Sequence, residues 1–575
     1  MFKDIKVIFG TLTKKETFHL SILSIVLLIT TFADFISIGS LIFFLNSILE
    51  NNFENRIYDF FKFVNSKTFE INFILFCGIV IIIFFIIKNL LQLFFAVFAV
   101  GFNSNLKLKL SKKIFEYYLN QDAQFFYKKD TSEYVRNINE ETNIFTGFIR
   151  FKIEYINQII NIIFITLLAS LYDLRVTIIM SLFFILFYFL YFIFFKKILL
   201  WLSELRLRLS KKALMILTTT FIGFKDVKIF NLGNYFINEY RLIDKIKIKM
   251  SIKKTVIGAL PKHIMEIAII SIVFFILFFG LPANFNNEIL IGRISYLITF
   301  LIIASRIYPS VSSIARLKGQ LEYTRSSLKF FDKVKHIFNK KYLKKELNIQ
   351  TINKSFEIKN LNFFFNKNCI FKDANLKVHR KDFIYIDGKN GSGKTTLFDI
   401  LVGIISLNGK QNGQFLIDKK KLTLNQDSNP FASYAAQDPL IFNQTIRDNI
   451  TLNYPFDKKE LLEILKMSCL FDVINKYPKG LNTILGEGGI KLSKGNIQRV
   501  ALARALLYLK NTTHKVLILD EATSAIDSQS EKKIFKNLKK SNLYDLLFYT
   551  SHNLSNQKYA NKKFTIKNNK IYKKL

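Results

Sequence analysis

Six long apolar stretches dominate the N-terminal part of the chain and constrain its fold more than any other feature. They are about Phe18–Leu45, Ile71–Val100, Ile144–Leu171, Val176–Leu200, Val256–Gly280 and Ile289–Ile314. Each is long enough to cross a hydrocarbon core of about 30 Å as a helix that rises about 1.5 Å per residue. No comparable stretch follows Arg316. The sequence therefore predicts six membrane spans followed by a soluble part.

Basic residues are distributed unevenly among the connections between these spans. The segment Trp201–Thr255 contains twelve Lys and Arg residues, whereas Leu281–Glu288 contains none. Because connections rich in Lys and Arg stay in the cytoplasm, we expect both termini and the soluble part on that side. Asn103–Thr142 and Trp201–Thr255 also mix apolar and charged residues at helical spacing, so we expect them to form cytoplasmic coupling hairpins.

The net charge of +39 raises the question of nucleic-acid binding. The basic residues are dispersed beside the membrane spans, and attraction to anionic lipid headgroups explains that distribution. A coding bias toward Lys, Asn, Ile and Phe explains it equally well. We therefore expect no nucleic-acid partner.

A glycine-rich segment follows the apolar run Phe383–Ile386 and reads Gly-Lys-Asn-Gly-Ser-Gly-Lys-Thr-Thr. This spacing predicts a loop between a strand and a helix, whose backbone N–H groups bind phosphate while a Lys reaches the β/γ oxygens and a Thr ligates Mg²⁺. The candidate nucleotide-binding residues of this loop are Gly388, Asn390, Gly391, Ser392, Gly393, Lys394, Thr395 and Thr396. The loop predicts a nucleotide hydrolase.

Two adjacent carboxylates end the apolar run Val516–Leu519. A strand that ends in this way can place one acid near Mg²⁺ and a second near the attacking water. We expect Asp520 to be the acid on the metal side and Glu521 to be the general base. A solvated Asp-Glu pair without a function is common at the end of a strand. Because this pair lies downstream of a phosphate loop, the catalytic interpretation is favoured.

Taken together, these motifs resemble the ATP-binding cassette (ABC) superfamily over essentially the whole chain. Gln437 resembles the family's glutamine that senses Mg²⁺ and the lytic water, and His552 resembles its γ-phosphate switch histidine. Leu492–Asn496 resembles the signature loop, and Ser524–Asp527 resembles the loop that crosses the dimer interface.

The resemblance implies roles for further residues. ATP and Mg²⁺ are the implied cofactors, with Thr395, Gln437 and Asp520 at the metal and Glu521, His552 and Gln437 in catalysis. Further nucleotide contacts are implied for Asp520, Ser493, Lys494, Gly495, Asn496 and Asp527. Phe365 matches the aromatic position that stacks on adenine, where the family usually has Tyr; an ordinary core Phe is the alternative.

The implied fold is that of a type IV ABC exporter. It has an α-helical six-span transmembrane domain (1–325), a linker (326–352) and an α/β P-loop nucleotide-binding domain (353–575), with a mostly parallel sheet expected in the last. Because the family binds ATP between the phosphate loop of one domain and the signature loop of another, a chain with one of each is expected to pair, most simply as a homodimer.

The signature loop departs from the family's usual Leu-Ser-Gly-Gly-Gln at two positions. Lys494 replaces the first Gly and Asn496 replaces the Gln, whereas Ser493 and Gly495 are retained. We expect activity to survive these changes.

Three basic residues inside the predicted spans suggest the class of substrate that is transported. Lys88, Lys262 and Arg306 all fall near the cytoplasmic leaflet when their depth is counted along each helix, and ionisable residues in a span indicate a cavity by default. Snorkelling to the interface, or a Lys262–Glu266 pair, is the alternative. The membrane half looks similar to bacterial inner-membrane flippases of polyprenyl-pyrophosphate-linked oligosaccharides such as O-antigen precursors. The second interpretation is an exporter of lipid A, of another amphipathic lipid or of a drug. An ATP-gated channel or a non-hydrolysing regulator is an alternative from a different functional class.

Overall fold

A computed structural model describes most of the chain. The described residues are 2–49, 73–121, 123–126, 130–170, 174–280, 287–338, 352–365, 368–405, 407, 411–422, 431–489, 491–509, 512 and 515–574. They form two compact units, one of Met1–Leu119 with Lys129–Lys341 and one of Asn120–Lys128 with Tyr342–Leu575.

The first unit is helical. Its elements are α1 (Phe2–Thr11), α2 (Lys14–Leu49), α3 (Phe73–Leu119), α5 (Thr131–Arg136), a π-helical turn (Asn137–Glu141), α6 (Thr142–Ser170), α7 (Leu174–Ile222), α8 (Phe224–Ile229), α9 (Gly233–Gly280), α10 (Asn287–Tyr323) and α11 (Arg325–Val334); α4 (Ala123–Phe126) groups with the second unit. The six predicted spans lie in α2, α3, α6, α7, α9 and α10, apart from residues 71, 72 and 171, which fall outside the described part. Three described segments are long and apolar enough to cross a membrane by length and composition: Lys14–Ser37, Gly78–Leu119 and Met180–Ile222.

A buried ion pair holds helices of this unit together. The Arg206 guanidinium of α7 lies 3.3 Å from the Glu141 carboxylate in the π-helical turn, and Glu141 is 1% exposed. Arg206 also donates to the Ser326 hydroxyl of α11 at 2.9 Å, and the Ser327 hydroxyl donates to Glu141. The segment that we expected to be a linker therefore begins as a helix fixed by a polar network.

The second unit is an α/β domain with two sheets. Its strands are β1 (Ser355–Phe365), β2 (Asn368–His379), β3 (Phe383–Gly388), β4 (Asn412–Ile417), β5 (Lys420–Leu422), β6 (Ala432–Ala435), β7 (Val516–Asp520), β8 (Leu546–Thr550), β9 (Lys562–Lys567) and β10 (Lys570–Lys574). Its main helices are α12 (Lys394–Val402), α13 (Ile446–Thr451), α14 (Lys458–Met467), α15 (Phe471–Ile474), α16 (Lys494–Tyr508) and α17 (Ser528–Lys540).

The larger sheet has the order β10-β9-β3-β8-β7-β6 and is parallel from β9 to β6. All five residues of β7 and of β8 are buried, as expected for central parallel strands covered on both faces. A separate antiparallel sheet, β2-β1-β4-β5, is a feature that the expectation of one mostly parallel sheet did not include. Parallel strands matter most for the site because their carboxyl ends meet at one edge.

Candidate functional site

Four neighbouring strands direct their carboxyl ends toward the same edge of the larger sheet. The phosphate loop follows β3, His552 follows β8, Asp520 and Glu521 end β7, and Gln437 follows β6. The register pairs Asp520 with Thr550 across β7 and β8. Ligands of open α/β sheets bind outside the carboxyl ends of the strands, so this edge is the candidate site.

The phosphate loop has the tight backbone that its glycines allow. Gly393 has a φ of +104°, and a side-chain carbon placed there would lie 2.7 Å from Ile370 Cγ2, so both the conformation and the close packing require glycine. The loop leads into α12 at Lys394, and the first turn of a helix has N–H groups without partners inside the helix, which suit an anion. Lys394 Nζ donates to the Gly388 carbonyl at 2.8 Å, which holds the ammonium over the loop.

Asp520 is held by hydroxyl groups from three directions. Thr395 Oγ1 donates to it at 2.8 Å, Thr550 Oγ1 at 2.9 Å and Tyr434 OH at 3.1 Å. Three donors to one buried carboxylate satisfy its oxygen atoms and fix its orientation. The structure thus brings together two of the three predicted metal residues, Thr395 and Asp520, with oxygen atoms of the type that Mg²⁺ prefers.

Glu521 and His552 form the second pair at this edge. His552 Nε2 lies 2.9 Å from Glu521 Oε2, and the Glu521 side chain is 10% exposed. Glu521 has a φ of +49°, which is uncommon for a residue other than glycine and is found at functional sites. Its own N–H bonds to Thr550 Oγ1 at 3.0 Å, which fixes this turn at the end of β7.

A cavity of about 330 Å³ connects these groups. It is lined by Ile370, the loop from Lys389 to Thr396, Gln437, Glu521 and His552. The three predicted catalytic residues therefore lie at one cavity with the predicted phosphate loop. Phe365, the predicted adenine-stacking residue, ends β1 with 39% of its surface exposed and does not line this cavity.

The cavity fits a nucleotide phosphate with Mg²⁺. Ser392 Oγ in the loop is buried and makes no hydrogen bond within the described part of the chain, so it is a polar atom that a phosphate oxygen could satisfy. Thr395, Asp520 and Gln437 would hold Mg²⁺, whose chemistry there would be neutralisation of charge on the phosphates. Glu521 would accept a proton from water and His552 would orient Glu521.

Asp399 is a group near this site that the sequence did not single out. Burial, with a contribution from the nearby Asp520 carboxylate, raises the pKa of Asp399 to about 6. It lies in α12, in the turn after Thr395. The Asp399 carboxyl therefore keeps its proton to a higher pH than an unperturbed aspartate does.

The signature residues do not line the cavity. Ser493 is the N-cap of α16, and its hydroxyl accepts from the Asn496 N–H at 3.3 Å. Lys494 Nζ lies 3.0 Å from the Asp438 carboxylate, with both side chains largely exposed. A side-chain carbon at Gly495 would lie 2.5 Å from the Ala525 carbonyl, so the retained glycine allows the two loops to pack directly.

Arg499 and Asp527 connect the same two loops. Arg499 donates to Asp527 Oδ2 at 2.7 Å, and it lies 3.4 Å from the Asn496 side-chain oxygen. The hydrogen bond from the Ser530 N–H lowers the pKa of Asp527, and the positive charge of Arg499 makes a smaller contribution in the same direction. Asp527 is therefore a fixed anion at the N-terminus of α17.

Gln498 follows the signature loop, and the sequence predicted no role for its side chain. It is fully buried, and its Nε2 donates to the Gln437 carbonyl and to Ser524 Oγ, both at 3.0 Å. Its Oε1 accepts from the Ala525 N–H at 2.8 Å. One side chain thus links the Gln437 strand end to the Ser524–Asp527 loop.

The predicted substrate residues have different environments in the first unit. Lys88 Nζ forms a 2.6 Å ion pair with Asp34, and Gln92 donates to the same carboxylate at 3.1 Å. Lys262 is exposed and makes no ion pair with Glu266 among the residues that the structure describes. Arg306 lies in α10, but its side chain falls outside the described residues.

Comparison with known proteins follows the same division of the chain. The model of the ABC transporter transmembrane region matches residues 6–308, and the ABC transporter model matches residues 371–524. A solved structure described as a bacterial Atm1-family ABC exporter with ATP bound superposes with a TM-score of 0.73 at 17% identity, over 97% of this chain and 94% of that one. This likeness shows the type IV exporter fold.

Three curated relatives have similar sequences over part of their length. A Rickettsia typhi protein named as an export ATP-binding/permease protein is 30% identical over 60% of this chain and 61% of its own. The ATP-dependent lipid A-core flippase of Desulfotalea psychrophila is 36% identical over 38% of this chain and 37% of its own. The alpha-hemolysin translocation ATP-binding protein HlyB of Escherichia coli O157:H7 is 32% identical over 50% and 40%.

The chain spans less than two thirds of the length of each of these relatives. The transmembrane match, by contrast, covers more than half of the chain itself. It continues into a second match that contains the phosphate loop and the Asp520–Glu521 pair. The chain is thus a multi-pass membrane protein that belongs to the ABC transporter family, with the one transmembrane region and one nucleotide-binding domain of a half-transporter.

Proposed function

We propose that the protein hydrolyses ATP with Mg²⁺ and uses the energy to export a lipid-linked substrate across the bacterial inner membrane. The observation that carries the ATPase assignment is the single cavity lined by the phosphate loop, Gln437, Glu521 and His552. A base within reach of bound water and a cation on the phosphates are the groups that hydrolysis requires. Both termini and the nucleotide-binding domain would lie in the cytoplasm.

A homodimer would complete the nucleotide site. Ser493, Lys494, Gly495 and Asn496 lie at the start of α16 and do not line the cavity of their own chain. In a symmetric pair, the signature loop of each chain can cover the nucleotide of the other, which gives two identical sites. ATP would close the dimer and hydrolysis would reset it, so that a membrane cavity alternates its access.

The substrate that we favour is a polyprenyl-pyrophosphate-linked oligosaccharide. Lys262 supports this, because it is an exposed cation in a predicted span and has no partner among the described residues. Arg306 and Lys88 would add charge near the same leaflet. Lys88 already has a carboxylate partner in Asp34, so it contributes only if that pair opens on substrate binding.

The substrate proposal is tested with a variant that removes the three cations without stranding a buried carboxylate. Lys88→Met, Lys262→Met and Arg306→Met are combined with Asp34→Asn, because Asp34 would otherwise lose its ion-pair partner. Arg241→Met, Lys245→Met and Lys249→Met, at exposed basic positions of α9, form a control with the same residue types.

The expected result is normal basal ATPase activity with loss of stimulation by the lipid-linked oligosaccharide. Each lost charge-assisted bond to phosphate should weaken binding about tenfold. Flipping measured in vesicles should fall in parallel, whereas the α9 control should keep both activities. Undiminished flipping by the folded variant would remove these residues from the substrate site.

A lipid A exporter is the second candidate, favoured by the 36% identity to a protein named as a lipid A-core flippase. Stimulation of the ATPase by lipid A and by polyprenyl-pyrophosphate glycans, compared side by side, separates the two. An ATP-gated channel would pass substrate without turnover, so it predicts that Glu521→Gln still transports.

A further inference from the structure

A second cavity lies in the first unit, away from the substrate residues considered above. It has a volume of about 280 Å³ and is formed by α1, α2 and α6. Its walls are aliphatic and aromatic, with Ser24, Lys152 and Asn157 as its polar residues. The volume is near the lower limit of about 300 Å³ for ligand pockets, which suits one narrow chain rather than a bulky molecule.

Lys152 is a buried cation in the wall of this cavity. It is 8% exposed, and it makes no ion pair or hydrogen bond within the described ranges. Its ammonium lies 5.9 Å from the centre of the Tyr155 ring. Burial of an ammonium group costs free energy unless an anion pairs with it. The wall of the cavity therefore has a positive charge that no carboxylate of the described residues pairs with.

The charged residues around Lys152 interact with it only at a distance. Asp4 of α1, Glu322 and Lys318 act on it electrostatically, but none forms an ion pair with it. Glu322 is engaged by Lys318 at 3.7 Å and by Arg325 at 2.9 Å. One carboxylate therefore serves two other cations, and Lys152 is left with a weak counter-charge.

Asn157 supplies a second unsatisfied group. Its side-chain oxygen is buried and accepts no hydrogen bond in the described part of the chain. It lies between Ile156 and Ile160 on the same helix, and all three residues line the cavity. The Ser24 hydroxyl, by contrast, is satisfied by the Leu20 carbonyl at 3.0 Å. A bound molecule could therefore place an anionic group on Lys152 and donate a hydroxyl hydrogen bond to Asn157.

The short helix α1 sets the position of the cavity. It buries Val7 and Ile8 against the unit while Phe9 remains 51% exposed, as in a helix that lies along a membrane interface. With both termini in the cytoplasm, as proposed above, α1 would place one end of this cavity at headgroup level, while its other end lies among apolar side chains. Anionic lipid is the component of a bilayer with this combination of charge and hydrocarbon.

We propose that this cavity binds an anionic phospholipid, with one hydrocarbon chain between α2 and α6 and a phosphate oxygen on Lys152. A headgroup hydroxyl would donate to Asn157. A zwitterionic lipid brings a choline cation next to Lys152 together with its phosphate and therefore loses most of the charge attraction, whereas a free phosphate leaves the apolar walls empty. The site does not depend on the nucleotide or on which substrate is exported.

Binding is measured on the full-length purified protein by native mass spectrometry, with phosphatidylglycerol and phosphatidylcholine as probes. Lys152→Met should weaken phosphatidylglycerol binding about tenfold and abolish the preference over phosphatidylcholine. Lys152→Arg should retain the preference. Lys196→Met is the matched control, because Lys196 is an exposed lysine on α7 that stacks on Phe192 and does not line the cavity.

A second arm tests the hydrocarbon chain. A phosphatidylglycerol analogue with a photoreactive acyl chain should crosslink to α2 and α6, and Ser24→Phe should block that crosslink by filling the cavity. The melting temperature of each variant reports its folding. Equal lipid preference in Lys152→Met and Lys196→Met, crosslinking confined to other helices, or full competition by inorganic phosphate would each overturn the proposal.

Discussion

Gln498 Nε2 donates to the Gln437 backbone carbonyl at 3.0 Å, although the two residues lie 61 positions apart in the chain. The same side chain bonds Ser524 Oγ and the Ala525 N–H. Gln437 lines the nucleotide cavity, whereas Ser524 belongs to the loop that packs on Gly495. The start of α16 is therefore connected through one buried amide to Gln437, a predicted catalytic residue.

Replacing Gln498 with Leu should destabilise the nucleotide-binding domain and slow ATP hydrolysis. Leu removes the hydrogen bonds to the Gln437 carbonyl and the Ala525 N–H, which are both partly buried, and each lost bond should cost about 0.5–1.5 kcal/mol. Thermal unfolding and steady-state ATPase rates measure the two effects. Gln529→Leu, at an exposed position of α17, is the control and should change neither. Wild-type stability in Gln498→Leu would show that the amide only fills space.

The Arg206–Glu141 pair should be essential for the stability of the membrane unit. Arg206→Met leaves a carboxylate that is 1% exposed without its cation, and such a loss typically costs about 3–5 kcal/mol. Lys329→Met breaks an exposed pair with Glu204 and should cost less than about 1 kcal/mol. The melting temperatures of the two variants in detergent provide the comparison, and equal values would contradict this account of the network.

Asp399 should make the stability of the nucleotide-binding domain depend on pH. Its pKa in the folded protein is about 6, compared with about 3.9 for an unperturbed Asp, so the folded carboxyl holds its proton more tightly than the unfolded one. Stability is therefore lost as pH rises from about 4 to about 6, and the penalty is complete above that window.

Asp399→Asn removes this penalty. In protein free of nucleotide and Mg²⁺, the variant should raise the melting temperature more at about pH 7.5 than at about pH 4.5. Glu463→Gln removes an exposed carboxylate and controls for the change in net charge. A gain that is the same at both pH values would mean that burial does not perturb Asp399.

Lys494→Gly should leave the dimer active, with turnover equal to or above that of the wild type. The Lys494–Asp438 pair has side chains that are 69% and 72% exposed, so it contributes roughly 0–1 kcal/mol. ATPase assays of Lys494→Gly and Asp438→Asn test this. Inactivation by Lys494→Gly alone would make Lys494 an essential phosphate ligand.

Local motifs predicted the nucleotide site because each of its parts is encoded within a few consecutive residues. The loop at Gly388–Thr396 and the Asp520–Glu521 strand end need only a parallel sheet to bring them together. The pairs Lys88–Asp34 and Gln498–Gln437 could not be predicted, because each depends on how two distant segments pack. The antiparallel sheet of β1, β2, β4 and β5 was missed because strand partners are set by tertiary contacts, not by the pattern of one strand.

The central claim is that Glu521 at the end of β7 drives export by activating water for ATP hydrolysis. The most direct test uses vesicles that contain the wild-type protein or Glu521→Gln, with ATP hydrolysis and movement of a fluorescent polyprenyl-pyrophosphate oligosaccharide recorded together. Loss of the base should slow both about 10²–10⁴-fold, while ATP binding survives because the phosphate loop is intact. Near-normal hydrolysis by Glu521→Gln, or substrate movement that continues without hydrolysis, would contradict the account.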